Sequence, residues 1–149
     1  MYKVEFVCIA NYCRSPVAEK ILNSMSSDKV SSSSSGLSPM ADMKMDKRSI
    51  AYLDSKSIEH TFHTPKKINT KKVEECDLLI CFEIDILLRL QKKFPQFAKK
   101  IKIYNYNKPE IYITDPFKIK DKAKYFKELD KIFILVEDWH QRIMSNTNF

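Results

Sequence analysis

Apolar and polar residues follow two different periods along this chain, one typical of strands and one typical of helices. The short, mostly apolar stretch from Tyr2 to Cys8 predicts a first strand. From Ser15 to about Met25, apolar residues recur three and four positions apart, which predicts an amphipathic helix. The last helix is predicted most clearly, with Ile132 and Trp139 supporting its apolar stripe. That stripe consists of Phe126, Leu129, Phe133, Val136, His140 and Ile143.

Between these elements the pattern predicts further strands at 29–35, 77–82 and 101–106, and helices at about 45–54 and 84–94. The serine run at 31–35 is compatible with a buried strand of small residues or with a flexible linker, and the order of elements favours a strand. Strands that alternate with helices predict an α/β fold, with a parallel sheet covered by helices on both faces.

The segment between the first predicted strand and helix reads Cys8-Ile9-Ala10-Asn11-Tyr12-Cys13-Arg14-Ser15-Pro16. The backbone N–H groups between Cys8 and Arg14 can curl around a tetrahedral oxyanion, and Arg14 can grip two of its oxygens. Ser15 suits a helix N-cap and Pro16 the first helical position. The helix N-terminus would then favour both a bound anion and the thiolate of Cys8, which makes Cys8 a candidate nucleophile.

The predicted fold points to the same segment independently. In open parallel sheets, ligands bind beyond the carboxyl ends of the strands, where the strand order reverses. The loop after the first strand is such a place. Because Gly36 is the only glycine, the glycine-rich phosphate loops of Rossmann and Walker type are excluded.

Composition limits the class of protein. The chain has 149 residues, 44% of them hydrophobic, which suits one domain with a sizeable core. No apolar run reaches the length of a membrane span, and the charged N-terminus does not resemble a signal peptide, so we expect a soluble cytoplasmic protein without membrane insertion. The net charge of +7 comes from dispersed lysines, which favours solvated surfaces over a nucleic-acid interface and is compatible with anionic substrates.

The four cysteines form two Cys-x4-Cys pairs, Cys8 with Cys13 and Cys76 with Cys81. A zinc site is disfavoured because Cys13 runs directly into Arg-Ser-Pro and because Cys76 and Cys81 flank a predicted buried strand. We expect free or catalytic thiols and no metal.

A cysteine nucleophile that attacks phosphorus also needs a group to protonate the leaving alcohol and later to activate water. The best candidate is Asp115 in Ile113-Thr114-Asp115-Pro116-Phe117, where Pro116 stiffens the loop. Phe117 offers an aromatic wall for a substrate ring. An Asp-Pro pair alone is a weak signal, and it gains weight beside the Cys8 loop.

Together, the Cys8–Pro16 segment and the distal Asp115-Pro116-Phe117 resemble the low-molecular-weight protein tyrosine phosphatase family. The resemblance covers the whole chain, so it implies one domain at 1–149. It further implies a three-layer fold, with a four-stranded parallel sheet, helices on both faces and the phosphate loop after strand 1. The implied activity is hydrolysis of phosphotyrosine through a cysteinyl-phosphate intermediate, without metal or cofactor.

The resemblance also implies a role for individual residues. Cys8 would be the nucleophile, Arg14 would bind the phosphoryl group, Ser15 would assist the thiolate, and Asp115 would be the general acid and then the general base. The other substrate-binding residues would be Ile9, Ala10, Asn11, Tyr12, Cys13 and Phe117. Ser34 and His63 match positions that support the loop through Asn11, although the serine run leaves the choice of Ser34 open by one residue.

Two departures from the family pattern bear on activity. Ala10 stands where the family usually has glycine, which would strain the loop if the position needs a positive φ. Lys118 stands where a second aromatic residue often follows Phe117, which thins the pocket wall and would favour acidic residues beside a phosphotyrosine.

Two alternatives to the phosphatase hypothesis remain. One is a thiol-dependent arsenate reductase of the same fold, with Cys76 and Cys81 as relay thiols. The other is a phosphate-binding module of weak activity, motivated by Ala10 and Lys118. For the phosphatase, the expected partners are phosphotyrosine proteins, with a tyrosine kinase among the candidates, and inorganic phosphate is the product. The sequence leaves the oligomeric state and the physiological substrate open.

Overall fold

The computed structural model describes residues 1–25, 28–40 and 42–149. Over these ranges it contains four strands and five α-helices, with 3₁₀ turns at Pro95–Lys100 and Pro116–Lys118. The elements are β1 (Tyr2–Cys8), α1 (Ser15–Met25), β2 (Val30–Gly36), α2 (Lys47–Ser55), α3 (Thr70–Glu75), β3 (Leu78–Cys81), α4 (Ile84–Lys93), β4 (Ile101–Ile103) and α5 (Lys122–Met144).

The four strands form one parallel sheet in the order β2-β1-β3-β4. On one face, Val4 and Phe6 of β1 pack into a core that includes residues of α1, α2 and α5. On the other face, Val7 packs into a second core with residues of α3 and α4. The predicted three-layer α/β fold is therefore confirmed, and the strand order reverses at β1, where the Cys8 loop begins.

The serine run is a strand because its hydroxyl groups have partners on both faces of the sheet. Ser33 and Ser35 donate to the carboxylate of Glu5, the Ser35 bond at 2.6 Å, and Glu5 is 2% exposed. Lys72 of α3 lies 3.3 Å from the same carboxylate. Ser34 points to the opposite face, toward α1 and the Cys8 loop. These bonds satisfy a charge and hydroxyls that would otherwise be costly to bury.

Three differences from the sequence prediction have local causes. The short helix α3 was not predicted, because Val73 is its only buried residue and its start depends on Asn69 accepting a bond from the backbone of Lys72. Strand β4 ends at Ile103, since the chain turns there and the Tyr104 carbonyl accepts a bond from the indole of Trp139.

The third difference concerns the buried stripe of α5. Tyr125 and Leu135 are buried, whereas Phe126, Phe133 and His140 are only partly buried. Tyr125 turns inward because its hydroxyl lies 2.6 Å from the Ser49 hydroxyl of α2, so the buried face of α5 packs against α2 as well as α1. Within the described ranges, no helix has the length and apolar character needed to cross a bilayer.

Candidate active site

The Cys8 loop connects the carboxyl end of β1 to the start of α1. Cys8 is the last residue of β1 and is 3% exposed. Its sulfur lies 2.9 Å from the hydroxyl oxygen of Ser15, the first residue of α1. The predicted N-cap role of Ser15 is wrong, because its hydroxyl contacts Cys8, Asn11 and the Ser35 carbonyl instead of the helix backbone.

Asn11 is the centre of the loop. Its φ of 51° is left-handed, a conformation that asparagine tolerates better than most residues. Its amide nitrogen donates to the hydroxyls of Ser15 at 2.9 Å and Ser34 at 3.0 Å, and its amide oxygen accepts from the backbone of Lys66 at 2.9 Å. Nε2 of His63 donates to the Asn11 carbonyl at 2.8 Å. The structure therefore places Ser34 and His63 in contact with Asn11, and Ser34 is the residue of the serine run whose hydroxyl accepts from the Asn11 amide. Their role in supporting the loop stays a prediction.

Gly36, at the end of β2, lies directly beneath the loop. A Cβ at this position would come 2.5 Å from the Ile9 carbonyl oxygen and 2.9 Å from the Asn11 nitrogen. The glycine that this loop requires is thus contributed by the neighbouring strand. Ala10 itself is not among the residues with positive φ, so the backbone strain that its departure from glycine suggested is absent.

Arg14 is 3% exposed and reaches across to the end of β3. Its guanidinium donates to Glu83 Oε1 at 2.8 Å and to the Phe82 carbonyl at 3.4 Å. Burial opposes the charged form of Arg14, but Cys8, Asp115 and Glu83 outweigh burial and raise its pKa. Arg14 is therefore a fixed cation beside the Cys8 sulfur, with the geometry suited to an oxyanion.

Sequence reasoning missed Glu83. The available signal was its position: it lies two residues after the end of β3 and directly before α4, so it is at the same sheet edge as the phosphate loop. Its own side chain makes no capping bond to α4, and it is directed to Arg14 instead.

Asp115 lies on the loop before the 3₁₀ turn Pro116–Lys118. Its Oδ1 accepts from the backbone of Phe117 at 3.1 Å, which caps the turn. Its Oδ2 lies 3.6 Å from Arg14 Nη2, and the side chain is 48% exposed. One oxygen is thus used to orient the carboxyl group, and the other faces the phosphate loop.

These elements enclose a cavity of about 200 Å³. Its lining residues are Cys8, Ile9, Ala10, Tyr12, Cys13, Arg14, Met40, Asp115 and Phe117. The rings of Tyr12 and Phe117 meet edge to face at 6.2 Å and form an aromatic side of the cavity. Lys118 is exposed and does not line it. A second cavity of about 460 Å³ shares Arg14 and Asp115 with the first and extends over Glu83.

The other cysteines differ from Cys8 in their surroundings. Cys13 is buried, and burial raises its pKa to about 12, so it is a thiol at neutral pH. Cys76 and Cys81 belong to the core on the opposite face of the sheet from Cys8. Burial raises the pKa of Cys76 to about 11 and raises that of Cys81 further. All four are free thiols.

Comparison with known proteins agrees with this geometry. The model of the low molecular weight phosphotyrosine protein phosphatase family matches residues 3–148. The chain belongs to this family. Like other members, it is a hydrolase of the phosphatase class, and its Cys8 and Arg14 fit the family's Cys-x5-Arg loop.

Individual relatives are distant in sequence but cover most of the chain. The phosphatase Ptp of Acinetobacter johnsonii is 27% identical over 137 residues, which is 92% of this chain and 94% of that protein. The phosphatase Wzb of Escherichia coli K12 is 25% identical over 112 residues, 75% of this chain and 76% of that protein.

Solved structures of phosphatases share the fold closely. A low molecular weight protein tyrosine phosphatase from T. tengcongensis superposes with a TM-score of 0.88 at 22% identity, covering 95% of this chain and 99% of that one. The YwlE arginine phosphatase from Geobacillus stearothermophilus gives a TM-score of 0.88 at 20% identity, covering 98% and 95%. The family fold therefore accommodates more than one phosphorylated amino acid, and the substrate must be inferred from the pocket.

Proposed function

We propose that this phosphatase hydrolyses phosphotyrosine in proteins through a cysteinyl-phosphate intermediate. The observation that supports this most directly is the convergence of Cys8, Arg14 and Asp115 on one cavity of about 200 Å³. A nucleophile, a phosphate ligand and a carboxyl group are the groups that the reaction requires, and each is held by a different segment of the chain.

In the first step, the backbone N–H groups of residues 9–14 and the guanidinium of Arg14 hold the phosphoryl oxygens. The Cys8 thiolate attacks phosphorus as the bond to the phenolic oxygen breaks. The protonated Asp115 gives its proton to that oxygen, so the alcohol leaves neutral and Asp115 becomes a carboxylate.

In the second step, the Asp115 carboxylate takes a proton from water while the water oxygen attacks phosphorus. The bond between sulfur and phosphorus breaks, and Cys8 leaves as a thiolate that the Ser15 hydroxyl, 2.9 Å away, stabilises. The product is inorganic phosphate, and Asp115 is protonated again for the next cycle.

The walls of the cavity favour a tyrosine leaving group. Tyr12, Phe117 and Met40 present aromatic and apolar surface on which a phenol ring can pack. Asp115 is the one carboxylate among the described lining residues. The guanidinium group of a phosphoarginine substrate would therefore find no second acidic partner in this cavity. The relatives Ptp and Wzb are likewise protein tyrosine phosphatases by name.

The two alternatives have less support. An arsenate reductase would need relay thiols that reach Cys8, whereas Cys76 and Cys81 are buried across the sheet. A binding module without turnover would not need a carboxyl group, whereas Asp115 faces Arg14 at 3.6 Å. The absence of a positive φ at Ala10 also removes one motive for weak activity.

We further propose that the enzyme acts in the cytoplasm, in phosphotyrosine signalling. Its nucleophile is a free thiol, with the free thiol of Cys13 in the same loop, and a reducing compartment keeps such thiols active. The partners would be phosphotyrosine proteins, a tyrosine kinase among them.

Turnover of peptides that carry phosphotyrosine, phosphoserine or phosphoarginine tests this proposal. We expect hydrolysis of the phosphotyrosine peptide, no turnover by Cys8→Ser, and a loss of about 10²- to 10⁴-fold in kcat by Asp115→Asn. Asp28→Asn, an exposed carboxylate at the opposite end of β2, is the control and should keep wild-type activity. Full activity of Cys8→Ser would refute the mechanism, and faster hydrolysis of phosphoarginine would refute the substrate. Arsenate-dependent oxidation of thioredoxin without phosphatase activity would support the reductase instead.

A further inference from the structure

We propose that Arg48, held by Asp46, is a positioning residue that sets the loop of the general acid Asp115 against the phosphate loop. The proposal rests on the function proposed above, because it assigns Asp115 the role of acid. It adds a device, built on α2, that joins two segments about a hundred residues apart in the chain.

Arg48 binds the backbone within and directly after the 3₁₀ turn that Asp115 begins. Its Nη2 donates to the Phe117 carbonyl at 3.1 Å, and its Nη1 donates to the Ile119 carbonyl. The N–H of the same Phe117 donates to Asp115 Oδ1 at 3.1 Å. Any displacement of the turn away from Arg48 would therefore displace the carboxyl group that faces the phosphate loop.

Asp46 fixes the guanidinium from the other side. Its Oδ1 accepts from Arg48 Nε at 3.1 Å and its Oδ2 accepts from Nη2 at 2.9 Å, in the paired geometry of a strong arginine–carboxylate contact. Asp46 is 5% exposed. Burial opposes its ionisation, but the hydrogen bonds from Arg48 outweigh burial and lower its pKa. The pair is thus ionised at neutral pH.

Asp46 is itself attached to the phosphate loop. Its backbone N–H donates to the Tyr12 carbonyl at 3.0 Å, and its Oδ2 lies 3.6 Å from the Cys13 sulfur. The Arg48 guanidinium also lies over the Tyr125 ring, 4.1 Å from its centroid. The contacts run without a gap from the phosphate loop through Asp46 and Arg48 to the turn after Asp115.

Only arginine has a planar fork of donors that can bind a carboxylate and two carbonyls at once. The acid needs this support because its side chain is 48% exposed and the adjoining Thr114 is also exposed, so few packing contacts hold this part of the loop. A misplacement of about 1 Å at a reacting group can cost about 100-fold in rate. Removing Arg48 should therefore affect proton donation more than phosphate binding.

Two esters with different leaving groups separate these effects. Phenyl phosphate needs a proton on its leaving oxygen, whereas 2,4-dinitrophenyl phosphate leaves readily without one. For Arg48→Met, we expect kcat/KM to fall about 10- to 100-fold on phenyl phosphate and at most about threefold on the dinitrophenyl ester. The inhibition constant of inorganic phosphate should stay within about twofold of wild type.

Arg142→Met is the matched control, because it breaks another arginine–aspartate pair, with Asp138, on the distal part of α5. It should leave the ratio of the two esters unchanged. Arg48→Lys keeps the charge but not the fork, so its ratio should lie between those of wild type and Arg48→Met, and it serves if Arg48→Met does not fold.

Backbone amide exchange over residues 113–120 gives a readout that does not depend on activity, and Arg48→Met should lose protection there. An equal loss on both esters, or unchanged protection of 113–120, would overturn the proposal. If the wild type hydrolyses neither ester, the proposed function fails, and amide exchange still decides whether Arg48 holds the loop.

Discussion

The hydroxyl oxygen of Ser15 lies 2.9 Å from the sulfur of Cys8, and both side chains are buried. The same hydroxyl accepts a hydrogen bond from the Asn11 amide at 2.9 Å. The one hydroxyl proton has two acceptors within reach, the Cys8 sulfur at 2.9 Å and the Ser35 carbonyl at 3.4 Å, and the shorter contact together with the negative charge of a thiolate favours the sulfur. Ser15 is thus oriented as a donor to the Cys8 thiolate.

Replacing Ser15 should slow the second chemical step. In Ser15→Ala the thiolate leaves phosphorus without a donor, so we expect kcat to fall about 10- to 100-fold. Rapid mixing with p-nitrophenyl phosphate should still give a burst of one product per enzyme, since attack by Cys8 is retained. Ser24→Ala, which removes a hydroxyl farther along α1, is the control. This role would be contradicted if Ser15→Ala lost the burst while its steady-state kcat stayed at the wild-type value.

Gly36 should be more important for the loop than the alanine inside it. A Cβ on Gly36 would lie 2.5 Å from the Ile9 carbonyl oxygen, so Gly36→Ala must displace the loop backbone. We expect kcat/KM to fall by about 100-fold or more. Ala10→Gly should change kcat/KM by less than about twofold and cost about 0.5 to 1 kcal/mol in the free energy of unfolding. Steady-state kinetics and urea denaturation measure both, and a marked gain of activity in Ala10→Gly would show that alanine does impair the loop.

Glu83 should hold Arg14 in the orientation that binds phosphate. Glu83→Gln removes the charge from the 2.8 Å contact with Arg14, so we expect a rise in the inhibition constant of inorganic phosphate and a fall of about tenfold in kcat/KM. Asp85→Asn is the matched control, because Asp85 lines the same neighbouring cavity. Equal effects of the two variants would mean that general electrostatics, and not the contact with Arg14, is responsible.

His63 should make the stability of the protein depend on pH. Burial lowers its pKa, against the smaller opposite effect of its hydrogen bond to the Asn11 carbonyl. A group whose pKa is lower in the folded state binds a proton on unfolding, so its contribution is complete above about pH 6.5 and is lost as the pH falls through the folded pKa. Urea denaturation between pH 7.5 and 5 should show a steeper loss for wild type than for His63→Gln. Parallel curves would show that His63 is not responsible.

Much of the site could be predicted from sequence because its parts are local. The residues from Cys8 to Ser15 are contiguous, so the end of β1, the loop and the start of α1 follow from one pattern. Asp115 was recognisable from its neighbours Pro116 and Phe117 once a cysteine nucleophile was in view. The parallel sheet followed from alternating periods, which depend on which residues each segment must bury.

The contacts between distant segments were decided only by the tertiary structure. Ser34 was distinguishable from the other serines only through the register of β2, which directs Ser34 to Asn11 and its neighbours Ser33 and Ser35 to Glu5. The pairing of Glu83 with Arg14 depends on β3 lying beside β1, and no local pattern encodes that adjacency.

The same distinction applies to the support of the acid loop. Asp46 and Arg48 form an ordinary helix start in sequence, with Asp46 accepting from the Arg48 backbone. Their bonds to Tyr12 and Phe117 exist because α2 and the loop after Asp115 meet over the same end of the sheet. The sequence by itself determined the reactive groups, since these depend on residue type and local spacing. The tertiary structure decided how they are held, since that depends on which side chains the fold brings within hydrogen-bonding distance.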